Sequence, residues 1–214
     1  MSIEIGTDKS TRMARLFQLL WHGERIAHDT AARQAQLCRE IKAQRFFAMQ
    51  SAQESLHATM FHAASRVLAP RTRAPQSAAV AALGVYRCHL EHDLACGHLA
   101  GSVVGLQIVL EGLGALTLSH MNLALSKHGA RFAPFKRLLE QHEDSHHAFG
   151  CRWLARQDTA ALPRLGADAR RYFELACDVI NAGDELFCYG ISSPQDYRSQ
   201  LRAALPLTLT GDWQ

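Results

Sequence analysis

Four stretches of this 214-residue chain repeat apolar residues three and four positions apart, and each holds a glutamate in the middle of its stripe. Residues at that spacing share one face of an α-helix, so the repeat predicts long helices whose apolar faces turn inward. The first stretch sets Glu24 among Phe17, Leu20, Trp21 and Ala31. The second runs Phe47, Gln50, Glu54, His57, Phe61, Ala64, Leu68. The fourth runs Phe132, Phe135, Leu139, Glu143, His146, then Phe149 or Gly150, then Trp153. The third, LAGSVVGLQIVLEGLGALTL over residues 99–118, is apolar enough to raise the question of a membrane span. Glu111 sits near its middle, where a bilayer would make an acid costly. A helix buried in a soluble bundle explains the same residues, so no membrane span is expected.

Burying an ionised carboxylate without a partner is costly, and none of these stripes carries a Lys or Arg to serve as one. Four acids and two imidazoles together point to a multivalent metal. Oxygen and nitrogen donors in that ratio suit iron or manganese better than zinc held by thiolates. Spacing gives an independent reason. Residues on an antiparallel helix pair are level when they are equidistant from the turn. Glu111 and Glu143 have their midpoint at Lys127, beside SKHG; Glu24 and Glu54 have theirs at Arg39, within QLCREIK. Chance placement of the Glu and His residues gives roughly half a Glu-x-x-His pair. Here there are two, Glu54/His57 and Glu143/His146, each on a central stripe.

The rest of the chain also reads as helix, and alternating strand patterns are absent, so the fold class is all-α with one domain. A first helix is expected from about Ser10 and a second up to Pro70, with APRTRAPQSA as a long connection. A third region begins near Ala78, breaks around Gly97 and continues to about Lys127. SKHGARFAP forms a turn, a fourth helix covers about 132–157, and LPRLGADA is a further break. A fifth helix follows over RRYFELACDVINAGDELFCYG, and the tail after Ser192 is expected to be partly helical at best. A net charge of +3, with no basic cluster interleaved with aromatics, argues against nucleic acid. No apolar leader precedes a cleavage site and the six cysteines are scattered, which predicts a cytoplasmic protein with reduced thiols.

The ordered set Glu24, Glu54/His57, Glu111, Glu143/His146 resembles the ferritin-like di-iron carboxylate superfamily. That family holds a Glu from each of two helices and a Glu-x-x-His pair from each of the other two in a bundle core. The resemblance covers about residues 10–157. It implies a four-helix bundle with a long crossover, an additional C-terminal helix and tail over 165–214, and two metal ions on those six ligands. Ser55 stands where haem-binding bacterioferritins have Met, and Phe61 where ribonucleotide reductase small subunits keep a radical tyrosine. His142 and Ser145 depart from the pattern of multicomponent hydroxylases, and there is no CxxC pair of the rubrerythrin kind. The nearest likeness is to short aldehyde-deformylating oxygenases.

The resemblance implies two iron ions, with manganese in place of one of them left open, and O2 as co-substrate. It implies an oxygenase or oxidase acting through the six ligands on a small, largely apolar organic molecule. Electrons would come from an external ferredoxin or reductase, since no flavin or iron–sulfur motif is present. A homodimer is left open, and a ferroxidase or iron-storage protein is the alternative. Gly105, Gly112 and Gly114 around Glu111 either open apolar space for substrate or let helices approach closely; Gly112 and Phe61 are candidate pocket residues. His28, one turn after Glu24, is a candidate extra ligand or a partner that orients one. Glu140, His142, Asp144 and His147 are expected to lie off the buried stripe, and His89, His92 and His98 at the surface.

Overall fold

A reversal at residues 38–40 separates α1 (Thr7–Leu37) from α2 (Ile41–Leu68) and folds them into an extensively packed hairpin. The computed structural model describes residues 7–68, 77–126, 133–187, 193–211 and 213. The turn falls at the midpoint between Glu24 and Glu54, as their spacing required, although it contains neither Gly nor Pro.

The Ser77 hydroxyl accepts the Val80 N–H and starts α3 (Ala78–Ala95). Gly97, at φ +72°, ends it: the Gly97 and His98 N–H groups turn back to the Leu94 and Asp93 carbonyls. A left-handed glycine makes that double closure possible without a Cβ clash. The predicted break at Gly97 is therefore present. Beyond it, α4 (Leu99–Val103), a π-helical segment (Val104–Leu110) and α5 (Glu111–Ser126) follow without interruption. This helix is long and apolar enough to cross a membrane, but 72% of its apolar window is buried inside the bundle, as a core helix requires.

The π segment ends at Glu111, whose N–H reaches five residues back to the Leu106 carbonyl. Such widened turns cluster at functional positions because they re-aim the side chains that follow. α6 (Ala133–Leu154) packs against both the π segment and α5. The closest approach is at Gly150, where a Cβ would lie 2.7 Å from Gln107 Cβ and 3.0 Å from Ile108 Cδ1. Only a glycine lets the two backbones come that near.

α7 (Leu162–Ala182) packs on α3 and on the π segment, with Tyr86 and Tyr172 fully buried between them. The segment LPRLGADA, expected as a break, is instead the first part of this helix. Pro163 sits in its opening turn, where no intrahelical N–H is called for. The helix also stops earlier than its sequence suggested, at Ala182, with Gly183 beyond it and a short 3-10 turn at Asp184–Phe187. The tail is more helical than expected. Ser193 and Asp196 form a reciprocal capping box that opens α8 (Pro194–Ala204), and α9 (Leu207–Thr210) follows against α7.

Every described helix or turn is helical in type, and no strand occurs among the described residues. Cys38, Cys88, Cys96, Cys151 and Cys177 are free thiols. The Pro70–Pro75 connection, most of the SKHGARFAP turn and Phe132 lie outside the described residues, as does the side chain of Phe135.

Candidate metal centre

Helical phase carries four stripe acids and two stripe imidazoles into one buried cluster. Glu54, His57 and His146 are fully buried, Glu111 and Glu143 nearly so, and the Glu24 side chain keeps 12% of its surface. The six divide into two overlapping groups, each of which can hold a metal ion. Glu24, Glu54, His57 and Glu143 bring ligand atoms within 4.8 Å of one another, and so do Glu54, Glu111 and His146.

Glu54 belongs to both groups, and its two oxygens are divided between them. Oε2 lies 3.1 Å from His57 Nδ1, and Oε1 lies 2.9 Å from His146 Nδ1. His57 Nδ1 also faces Glu24 Oε2 at 3.3 Å and Glu143 Oε1 at 3.6 Å; His146 Nδ1 faces Glu111 Oε2 at 3.6 Å. Both imidazoles therefore present Nδ1 inward, a choice between ring nitrogens that sequence does not contain.

The outer ring nitrogens explain that choice. Gln53 Oε1 accepts from His146 Nε2 at 2.8 Å, which holds the proton on Nε2 and leaves the Nδ1 lone pair facing the acids. His57 Nε2 meets His142 Nδ1 at 3.0 Å, with the two rings stacked at 5.2 Å. His142, expected at the rim, is thus half-buried against a stripe histidine.

The electrostatics are those of carboxylates crowded together out of water. Burial, followed by the charges of neighbouring carboxylates, pushes Glu24, Glu111 and Glu143 well above the ordinary carboxylate value. Glu54 is buried as deeply, and burial pushes it up, yet the imidazoles of His146 and His57 beside its two oxygens together hold it below that value. Glu143 Oε1 and His146 Nδ1 are buried with no hydrogen-bond partner at all. Acceptor lone pairs crowded together this way repel unless something positive sits between them. An oxygen-rich donor set with two imidazoles fits iron or manganese.

A chain of buried amides braces one side of the cluster. Gln50 Nε2 donates to Glu111 Oε1 at 2.6 Å and to Glu54 Oε1 at 3.1 Å. Gln107 Nε2 donates to Gln50 Oε1 at 2.9 Å and to Gln34 Oε1 at 2.7 Å. Gln34 Nε2 completes the chain to Gln107 Oε1 and Ser102 Oγ, both at 3.1 Å. All three glutamines are fully buried, so each amide depends on the others. Gln34→Leu strips Gln107 and Ser102 of partners 73 and 68 residues away. It is expected to cost about 1–3 kcal/mol in urea unfolding, although Gln34 touches none of the six ligands.

His28 does not join the cluster: its Nδ1 lies 2.8 Å from the Ser51 carbonyl and 2.9 Å from the Ser51 hydroxyl, tying α1 to α2. Neither do the expected pocket residues. Phe61 stacks on Phe17 at 5.9 Å in the core, and a Cβ on Gly112 would face Leu201 of α8. Gly105 packs tightly on Tyr172 and Leu90. Gly114 is the glycine beside the site, where a Cβ would stand 3.4 Å from Glu143 Oε2. It lines an apolar cavity of about 60 Å³ whose acids, among the described residues, are Glu24, Glu111 and Glu143.

A second acidic group, Asp93, His98 and Asp168, also has metal-like spacing. Its charge is already compensated. Arg171 donates to Asp93 at 2.7 Å and to Asp168 at 2.9 Å, Tyr172 donates to Asp93 at 2.7 Å, and His98 Nε2 meets Asp168 at 2.6 Å. His98 and His89 are thus part of an ion-pair network joining α3, the start of α4 and α7, rather than free surface histidines. The contrast isolates what is particular to the six-residue cluster, which has no Lys or Arg among its charge partners in the described residues.

No family model, curated protein or solved structure matches the chain, so the geometry of these six side chains carries the functional reading.

Proposed function

We propose that the chain is a ferritin-like, non-haem di-iron oxidoreductase that uses O2 to oxidise a small, largely apolar organic molecule. The observation that carries this reading is the division of Glu54 between two imidazoles, which would let one carboxylate serve two adjacent metal positions. Glu24, His57 and Glu143 would complete one position, and Glu111 and His146 the other. Two iron ions bound there would supply electrons and a Lewis-acidic centre for O2 chemistry.

The chain's own residues do the positioning. Gln53 keeps the His146 proton on Nε2, so Nδ1 remains a donor to metal. Gln50 donates to an oxygen of both Glu54 and Glu111 and holds the two together against the repulsion that would swing them apart. The largely aliphatic cavity beside Glu24, Glu111 and Glu143 offers an organic molecule access to the acids' side of the cluster. That cavity favours an oxygenase or oxidase over iron storage, because a route for hydrated iron would be lined with polar groups. A cytoplasmic reductase or ferredoxin would deliver the electrons.

The test is coupled turnover. With Fe(II) loaded anaerobically and a chemical reductant present, O2 consumption should rise on adding short aliphatic aldehydes or alcohols, with oxidised organic product formed in proportion. O2 uptake that tracks only added Fe(II), with ferric mineral accumulating in a large multi-subunit assembly, would instead identify a ferroxidase.

A further inference from the structure

Positive charge gathers at the end of the bundle where α1 turns into α2. Arg39, Lys42 and Arg45 come from that turn and the first residues of α2, and Arg152 and Arg156 from the end of α6 and the turn after it; all five are exposed. Glu40 is the acid among them, and Arg156 holds it at 3.2 and 3.3 Å. No ion pair engages Arg39, Lys42, Arg45 or Arg152 among the described residues. These six residues sum to +4 in a chain of net charge +3, so the rest of the molecule is slightly negative. Arg156 and Glu40 are 116 residues apart, so the cluster does not show as a basic run in the sequence.

Lys42, Arg152 and Arg156 line an open pocket together with Ala43, Phe149 and Trp153. Phe149 is stacked on Phe46 with ring centres 3.7 Å apart, and Phe46 lies edge-on to His146 at 6.1 Å. A packed line of rings thus runs from the basic surface to an imidazole of the six-residue cluster. Beyond Arg45 the exposed side of α2 carries no Lys, Arg, Asp or Glu until Arg66, and Met49 and Leu56 lie open on it. A neutral, partly apolar surface edged by cations has the layout of a protein interface. The bases of a nucleic acid would find little free ring to stack on, because Phe46 covers one face of Phe149 and Trp153 is buried.

Resting on the di-iron reading above, we propose that this face docks an acidic one-electron carrier protein, whose electrons enter through Phe149 and Phe46 to His146. Each docked carrier is oxidised by one electron. Two such electrons return a ferric pair to the ferrous state, and no bond forms or breaks in the transfer. Lys42 and Arg152 attract the carrier's carboxylates, and the stacked rings fill the path inward with packed atoms.

Titration calorimetry with the protein as purified and an oxidised plant-type [2Fe–2S] ferredoxin of strongly negative charge reads docking without turnover. A dissociation constant on the order of 10 µM is expected at about 0.02 M salt, weakened at least about tenfold at about 0.3 M. Lys42→Glu and Arg152→Glu should each weaken binding about tenfold. Arg170→Glu, the same change of charge on an exposed turn of α7, should leave it within about twofold. Phe149→Leu should bind as the wild type does, yet oxidise reduced ferredoxin several-fold more slowly once iron is loaded.

No binding at low salt, or equal weakening by Arg170→Glu, overturns the docking face. A wild-type rate of ferredoxin oxidation in Phe149→Leu overturns the route. A short DNA duplex that binds more tightly than ferredoxin, and loses that binding in Lys42→Glu, would make the face a nucleic-acid surface and overturn the proposal as well. Iron content measured on the same samples separates the two readings. Salt-dependent docking on protein that takes up no iron keeps the face and removes the di-iron reading; two irons per chain without docking does the reverse.

Discussion

Glu54→Ala is expected to abolish both metal positions at once, whereas Glu24→Ala should abolish only one. Glu54 is common to both ligand groups, while Glu24 belongs to the His57 group alone. Iron bound after anaerobic loading and desalting should therefore fall from about two per chain to near zero in Glu54→Ala, and to about one in Glu24→Ala. Glu54 is the one carboxylate of the four held below its ordinary range, with an imidazole beside each of its oxygens. Glu24 keeps some solvent contact and lies at the cavity. Equal losses in the two variants would show that the positions do not share Glu54 in the way the distances indicate.

The second large effect is a reversal of pH dependence when metal is removed. Without a cation, Glu24, Glu111 and Glu143 have folded-state values well above the unfolded 4.5. Above pH 4.5, and up to those raised values, the folded chain holds more protons than the unfolded one. Stability must then fall as pH rises through that window. Glu54, shifted downward, acts in the opposite sense, but its contribution is lost only as acid takes it below 4.5. A chelated sample should accordingly be more resistant to urea at pH 5 than at pH 8. An ionised carboxylate buried without a partner costs several kcal/mol, so the midpoint should differ by about 1 M or more. The metal-loaded protein should show the opposite slope, because protons compete with metal for the same oxygens. Parallel slopes in the two forms would mean that the acids are compensated by something other than metal.

The clustering of the six side chains was legible in sequence because it depends on a single periodicity. Once the helical phase is right, Glu54 and His57 must share a face, and so must Glu143 and His146. The equidistance of Glu24 and Glu54 from residue 39 then set their relative height, and the turn formed there without a Gly or Pro to mark it. What supports those side chains was not legible in the same way. Gln34, Gln50 and Gln107 come from three helices, and their amides acquire meaning only when 73 and 57 residues of intervening chain bring them together. His142 and Gln53 look like ordinary surface residues until they are seen behind the two imidazoles.

Other features had local signals that compete with stronger ones. Pro163 and Gly166 look like breakers, yet a proline in a first turn assists a helix. Ser193 and Asp196 have the spacing of a capping box, but they lie in a tail with little apolar periodicity before it. The π segment has no local sequence signature. It follows from tertiary demands: the Gly105 carbonyl accepts from Tyr86, and the residue that ends it, Glu111, must reach the cluster. The glycines around Glu111 illustrate the same limit, since three looked alike in sequence and only Gly114 borders the cavity.

The most direct measurement is an anaerobic Fe(II) titration followed by X-ray absorption on the loaded protein. Two ions per chain about 3.5–4 Å apart, bound by oxygen and nitrogen donors, are expected from a carboxylate shared between adjacent positions. Saturation at one ion per chain or fewer, or two ions without metal–metal scattering at that distance, would contradict a shared dinuclear centre at Glu54.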